Sequence, residues 1–495
     1  VFDSSSICGS KKLLSPQLLL GDLYSIYDQP IEHDSHLEVG VYLKNMQNAQ
    51  KAEYSEFWLR SLELDPHLRS FDWPNRDSEA EYTSFKLQSS KRKLFVAPDS
   101  QKLEAAKTRL LTKYVKFKLS YSDLSYETIS NLVTKFINRN IKMDASPGIP
   151  YSMRFSTNQQ FINDSKDVII DLVYSRICAR LYGYSPGMTP FEMVSNNLCD
   201  PVKIFVKQEP HKKRKLDEGR VRLIMSVSLI DKLVEMVLVS DLKEKEIANW
   251  TKIPSKPGIG FNDEGVKVIY SSAMAMKRPV ATDVSGFDWH VQQWMLDADA
   301  DLNIRLCENS FAEWKTLMER TAVIEGNSLY CLSNSKLLEL KVKGIQNSGK
   351  LKTSMSNSKI RCLLAEMVGS TNYHAMGDDD FEEWVDDAFN KYADLGMDLK
   401  NYDEVSDKFE FCSKLYTKDG AYPVDYAKTL MNYLHSKPQN WIEWQGYRVG
   451  FDNEMSNHPE YPRIAKLIQA VGFDKLGGEQ KLLIELSEYE QYEQQ

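Results

Sequence analysis

Two apolar runs, each ending in an acid, set the strongest constraint on this chain. Ala281-Thr282-Asp283-Val284-Ser285-Gly286-Phe287-Asp288-Trp289 reads as a strand that stops at Asp283, turns at glycine and offers Asp288 shortly after. Met376-Gly377-Asp378-Asp379 reads as a tight turn carrying adjacent carboxylates. Between them, Ser348-Gly349 makes a flexible turn, and the helix that follows lines up Thr353 and Asn357 on one face. Hard divalent cations take oxygen ligands, and Mg2+ is held by few carboxylates plus substrate phosphates. Asp283 and Asp378 side by side would hold two ions about 3.5–4 Å apart. Each segment alone is an ordinary loop or a polar, capped helix; only the set carries chemistry.

Composition narrows the class. The 495 residues are 42% hydrophobic and 27% charged, as in an ordinary globular enzyme. Mean hydropathy is −0.45, and no run approaches the ~18 apolar residues of a membrane span. Leu18-Leu19-Leu20 is too short for a signal-peptide core. The seven cysteines (Cys8, Cys178, Cys199, Cys307, Cys331, Cys362, Cys412) contain no C-x-x-C pair, which excludes a zinc ribbon and fits a reducing compartment. Net charge is −8, so the whole-molecule field does not advertise nucleic-acid binding. Locally, residues 203–222 carry eight Lys/Arg against Glu209, Asp217 and Glu218, a charge of +5, whereas Glu479–Gln495 carries −4.

Helical spacing predicts a helix over 165–182, capped by Asp164 or Ser165 and ended by Gly183. Residues 289–308 and 381–395 also read as helices, the second with an acidic start. Ile204–Val206, Val280–Val284 and Tyr373–Met376 read as strands, giving an α+β chain without repeats or long linkers. Gly183-Tyr184-Ser185-Pro186-Gly187 matches a nucleophile elbow, but Pro186 lacks the N–H the oxyanion needs. Gly344–Lys350 matches most of a P-loop, with Leu351 where a Mg2+-binding hydroxyl belongs. A P-loop NTPase or RNA helicase is therefore the runner-up expectation, and a catalytically silent RNA-binding scaffold the third.

The order D-x4-D, S-G-x3-T-x3-N and G-D-D resembles motifs A, B and C of viral RNA-directed RNA polymerases. Ile253-Pro-Ser-Lys-Pro257-Gly-Ile-Gly260, Asp283–Trp289, Ala375–Asp379 and Phe409–Ser413 resemble the sobemovirus and polerovirus group of positive-strand RNA viruses, over roughly residues 145–415.

The resemblance implies a right-hand polymerase whose palm is a small antiparallel sheet flanked by helices. Fingers would take 1–225, including the N-terminal region and motifs G and F, together with an insertion at 326–345. The palm would take 226–325 (motif A) and 346–415 (motifs B to E), and the thumb 416–495. Asp283, Asp378 and Asp379 would bind two Mg2+ ions, with Mn2+ able to substitute. Lys400 resembles the motif D general acid, with Lys391 as its competitor. Lys207, Arg222, Asp288, Ser348, Thr353 and Asn357 would contact the incoming rNTP. Ser146, Gly148 and Pro150 (motif G), Lys212, Lys213, Arg214 and Lys215 (motif F), Gly349, and Phe411, Cys412 and Ser413 (motif E) would line the path of template and product RNA. Asp380 is an extra acid beyond the pattern. Val1 in place of Met predicts a trimmed chain or a product cut from a polyprotein. A genome-linked protein and other viral replication proteins are the expected partners, in host cytoplasm at membrane-associated replication complexes.

Overall fold

The computed structural model describes residues 23–474 except 45, 47, 48 and 261, so the acidic stretch 479–495, Cys8 and the end of the expected thumb lie outside the described residues. The described part is a mixed helix and sheet structure. Strands β1 (Tyr24–Glu32), β2 (His36–Tyr42), β4 (Val202–Val206), β6 (Leu223–Ser226), β8 (Leu329–Cys331) and β9 (Lys336–Leu340) form one sheet in the order β1-β2-β9-β8-β4-β6. It unites the N-terminal hairpin, the basic stripe and the segment after residue 326. Every neighbouring pair in it is antiparallel except β4 with β8. Strands β3 (Phe71–Asp72) and β5 (His211–Lys212) pin the N-terminal segment to the basic stripe.

The sheet that matters for chemistry has four strands, β7 (Pro279–Val284), β10 (Tyr373–Met376), β11 (Asp379–Glu383) and β12 (Leu399–Glu404), in the antiparallel order β10-β11-β7-β12. Beside it stands a three-stranded meander, β13 (Phe409–Phe411), β14 (Lys414–Thr417) and β15 (Gly420–Pro423). The largest core packs the helices Asn158–Cys178, Leu229–Ala248, Gln293–Leu306, Ala312–Glu325 and Thr353–Val368 around residues such as Val234, Met295, Trp314 and Leu363. A second core joins Trp58, Leu68, Phe71 and Trp73 to Leu430, Met431, Phe451, Ile464 and Ile468, so part of the N-terminal segment is built into the C-terminal helices.

Three sequence expectations shift. The helix expected at 165 starts at Asn158, where Thr157 Oγ1 accepts from Gln160 N at 3.2 Å, and Ser165 is a kink inside it (φ −149°, ψ 33°). The helix expected over 289–308 is two, Phe287–His290 and Gln293–Leu306, split by extended backbone at Val291 and Gln292. The acidic run expected to open a helix at 381 is instead β11, because pairing with both β10 and β7 outweighs local propensity. Only Ala388–Asp394 is helical there.

Candidate active site

Strand β7 delivers Asp283 at its end. Across the sheet, Met376 pairs with Asp379, leaving Gly377 and Asp378 as a two-residue hairpin turn. Gly377 takes the left-handed backbone the turn needs (φ 66°), and its N–H donates to Ser358 Oγ at 2.8 Å. The β11–β7 ladder ends on the pair Asp380 and Thr282, and Asp379 and Asp283 are the next residues beyond it on the two strands. The three acids therefore meet at one end of the sheet. Burial and the charges of Asp378 and Asp283 push the Asp379 carboxyl up to about 7. Lys400, on β12, places Nζ 2.7 Å from Asp283 Oδ2, whereas Lys391 is exposed on the Ala388–Asp394 helix.

Asp288 sits in the short helix Phe287–His290 that follows strand β7 and accepts from Asn357 Nδ2 at 2.7 Å. Burial pushes its carboxyl up to about 6; the Asn357 amide opposes this and the Asp378 charge adds to it. Arg222 is close enough for its charge to favour the Asp288 carboxylate. Asn357 Oδ1 is buried with no hydrogen-bond partner, so the pair keeps an acceptor for something else. Thr353, the first residue of the helix Thr353–Val368, donates its Oγ1 hydroxyl to Asn347 O at 2.7 Å.

Ser348 and Gly349 are tied to strand β6. Ser348 Oγ accepts from Met225 N at 3.1 Å, and Gly349 N donates to Met225 O at 3.0 Å. A Cβ on Gly349 would lie 2.3 Å from that carbonyl oxygen, so only glycine permits the approach.

In the basic stripe, Glu209 gathers three cations: Lys207 Nζ at 2.9 Å, Arg222 Nη1 at 3.2 Å and Lys428 Nζ at 3.7 Å. Burial raises the Glu209 carboxyl, but Lys428, Lys207 and Arg222 outweigh it and hold it down to about 2. Lys213, Arg214 and Lys215 lie on a short exposed helix, Lys213–Asp217. Lys215, though exposed, is depressed by the protein packed around it and then by the charge of Lys400, while Asp283 pulls the other way, so this lysine lies within electrostatic reach of Asp283. Lys212, exposed just before it, lies 3.9 Å from Asp425 Oδ2. Phe411 pairs with Lys414, leaving Cys412 and Ser413 as a turn with φ of 53° and 58°. Burial and the charges of Asp379 and Asp378 raise the Cys412 thiol, which places this turn against the acid cluster. In the segment resembling motif G, Ser146 Oγ accepts from Gly148 N at 3.3 Å, Gly148 is buried, and Pro150 opens a single 3-10 turn.

The P-loop expectation is overturned. Lys350 is buried and its Nζ lies 3.1 Å from Glu325 Oε2, so its charge is already taken by a carboxylate. Leu351 N and Lys352 N, the donors a phosphate would need, donate to Glu235.

The family described as viral RNA-directed RNA polymerase matches residues 64–426. The chain belongs to that family. It is 37% identical over 430 residues to the replicase polyprotein P2AB of southern bean mosaic virus, covering 82% of this chain and 43% of that protein. It is 36% identical over 326 residues to the RNA-directed RNA polymerase of mushroom bacilliform virus, covering 62% and 77%. It is 34% identical over 409 residues to protein P1-P2 of potato leafroll virus, covering 75% and 37%. The chain thus spans under half the length of the replicase polyprotein it matches. Within this family's motifs, sequence reading missed Glu410, on β13, whose carboxyl is raised by burial and by the charge of Asp283. It also missed Ser358 and Arg361 on the motif B helix. Glu410 lies within Phe409–Ser413 and was legible as an acid; nothing local pointed it at Asp283.

Proposed function

We propose that this chain is the RNA-directed RNA polymerase that replicates a positive-strand RNA virus genome, adding ribonucleotides to an RNA 3′-OH. The observation that carries the reading is the meeting of Asp283, Asp378 and Asp379 at one sheet end, under a basic stripe, in a member of this family. The six-stranded sheet with its helices would be the fingers, the four-stranded sheet the palm, and the helices Tyr426–Leu434, Trp441–Met455 and Tyr461–Val471 the thumb.

Viral polymerases of this family use divalent metal ions. Among the described residues no three His, Cys, Asp or Glu side chains form a ready-made cage. The fit rests instead on carboxylates whose mutual repulsion raises Asp379, and on the Lys400 ammonium that lies against Asp283 as a stand-in cation. Asp283, Asp378 and Asp379 would hold two Mg2+ ions, or Mn2+, with substrate phosphates completing the ligand sets. Bound there, the ions would lower the pKa of the 3′-hydroxyl and neutralise the departing pyrophosphate.

The chain's own residues do the rest, and phosphoryl transfer asks mainly for positioning and charge neutralisation. Arg222 and Lys207, ordered by Glu209, cradle the triphosphate with bidentate and point-charge contacts. Asp288 and Asn357 face the ribose, the free Asn357 Oδ1 accepting from its 2′-OH. Lys400 gives its proton to the leaving pyrophosphate. Lys212–Lys215, the Ser146–Pro150 turn and the Phe411–Ser413 turn guide template and product. A genome-linked protein and other replication proteins would be partners at membrane-associated complexes in the host cytoplasm. No helix among the described residues is long and apolar enough to cross a membrane.

The test is primer extension on defined RNA with Mg2+ and each NTP omitted in turn. Asp283→Asn and Asp378→Asn should each abolish synthesis while leaving RNA binding nearly intact. Extension at near native rate by either folded variant would sink the two-metal assignment.

A further inference from the structure

The motif B helix carries an arginine that no polymerase motif named above uses. Arg361 lies one helical turn past Asn357 and is fully buried. Its guanidinium donates to Thr282 Oγ1, and Nη2 lies 3.1 Å from Asp380 Oδ2. The Tyr392 ring packs beneath it, 5.2 Å from the guanidinium carbon. Thr282 and Asp380 are cross-strand partners in the β7–β11 ladder. Each is the immediate neighbour of an acid of the site, Thr282 of Asp283 and Asp380 of Asp379. Because side chains alternate across a strand, Thr282 and Asp380 point to the helix side while Asp283 and Asp379 point to the other. This accounts for the extra acid after the Gly-Asp-Asp: Asp380 is turned away from the metal face.

We infer that Arg361 is a positioning residue: one guanidinium brackets strands β7 and β11 beside Asp283 and Asp379, so it fixes both the spacing of the metal-binding acids and the placement of Asn357 a turn away. The inference rests on the polymerase reading of the site. Both contacts are made by the one nitrogen Nη2, whose two N–H bonds diverge in the guanidinium plane toward Thr282 and Asp380, whereas an ammonium is a point charge with no fixed directions. A slip of one strand past the other would move every side chain relative to the facing acid. Groups that orient metal ligands typically govern affinity by about 10–100-fold when removed.

The experiment measures Mn2+ binding to the full chain by electron paramagnetic resonance, without RNA or NTP, alongside melting temperature and the ATP/dATP ratio of kcat/KM. Arg361→Lys keeps the charge and loses the bracket. It should raise the Mn2+ Kd by about 10-fold and shrink the ribose preference. Thr282→Val removes one arm while leaving Asp380 paired; it should give a smaller shift in the same direction, and it decides the matter if Arg361→Lys does not fold. Lys359→Met is the structural control. It breaks another buried pair of the same helix, Lys359 Nζ to Glu246 Oε1 at 2.8 Å, and should lower the melting temperature without changing the Mn2+ Kd. Unchanged Mn2+ binding in folded Arg361→Lys and Thr282→Val would overturn the bracket, as would an equal loss in Lys359→Met. Asp283→Asn separates the two levels: if it leaves Mn2+ binding intact, the metal site itself is misread; if it alone weakens binding, only the bracket fails.

Discussion

Lys400 Nζ lies 2.7 Å from Asp283 Oδ2, so the residue proposed to donate a proton is ion-paired with an acid proposed to hold a metal. Both side chains are about half exposed, and such a pair contributes little to stability. Lys400 would therefore leave Asp283 at small cost if that carboxylate held a metal ion, and its ammonium would be free to face the leaving group. Lys400→Met should lower kcat by about 100-fold or more, while Mn2+ binds at least as tightly as in the native chain. Lys391→Met should stay near native kcat. Single-turnover extension and Mn2+ titration read the two quantities separately.

The proposed ribose role of Asp288 and Asn357 makes sugar choice its readout. A site built to bond a hydroxyl rejects the analogue lacking it, because its own buried polar groups stay unpaired. Native enzyme should strongly prefer ATP to dATP, and Asn357→Ala or Asp288→Ala should shrink that ratio mainly by impairing ATP use. Competitive kcat/KM measurements on one RNA template give the answer; equal proportional losses for both sugars would leave the pair a bracing role.

Lys350 belongs to the interior. Lys350→Met leaves the buried Glu325 carboxylate with Lys352 alone, whose Nζ lies 3.3 Å from Glu325 Oε2. A fully unpaired buried charge costs about 3–5 kcal/mol, so a loss smaller than that, read as a fall in melting temperature, is expected. Leu351→Ser, which completes the P-loop pattern on paper, should create no ATPase activity in a phosphate-release assay.

Glu81 gives a pH test remote from the acids of the site. Its carboxylate accepts from Ser333 N at 2.7 Å and Ser333 Oγ at 2.8 Å, yet burial pushes it up to about 7. Between its ordinary value of 4.5 and about 7, the folded chain holds a proton that the unfolded chain has lost. Stability is therefore lost as pH rises through that window, by roughly 3 kcal/mol in all. Glu81→Gln keeps an acceptor for Ser333 N and removes the titration. Its melting temperature relative to native should climb from pH 5 to pH 8; a pH-independent difference would refute the shift.

What the sequence determined was local. Gly377 before two acids dictates a hairpin turn because a left-handed backbone is cheap only for glycine. The β-rich runs ending at Val284 and Met376 dictate strands, and the spacing of Thr353 and Asn357 dictates one helical face. Those rules placed Asp283, Asp378 and Asn357 within their elements, and the family's motif order named their neighbours. The tertiary structure decided which groups meet. Glu382 looks like the first turn of an acidic helix and Asp380 like an extra acid before it, but both are strand residues because β11 is paired on both sides and Arg361 neutralises the face they bury. Lys350 looks like a phosphate-binding lysine, but Glu325 takes it into the core. Glu410 and Lys215 look like unrelated charges until folding brings both within electrostatic reach of Asp283. Backbone preference is written within a few residues, whereas the partner of a buried charge is set by strands and helices that pack from distant parts of the chain.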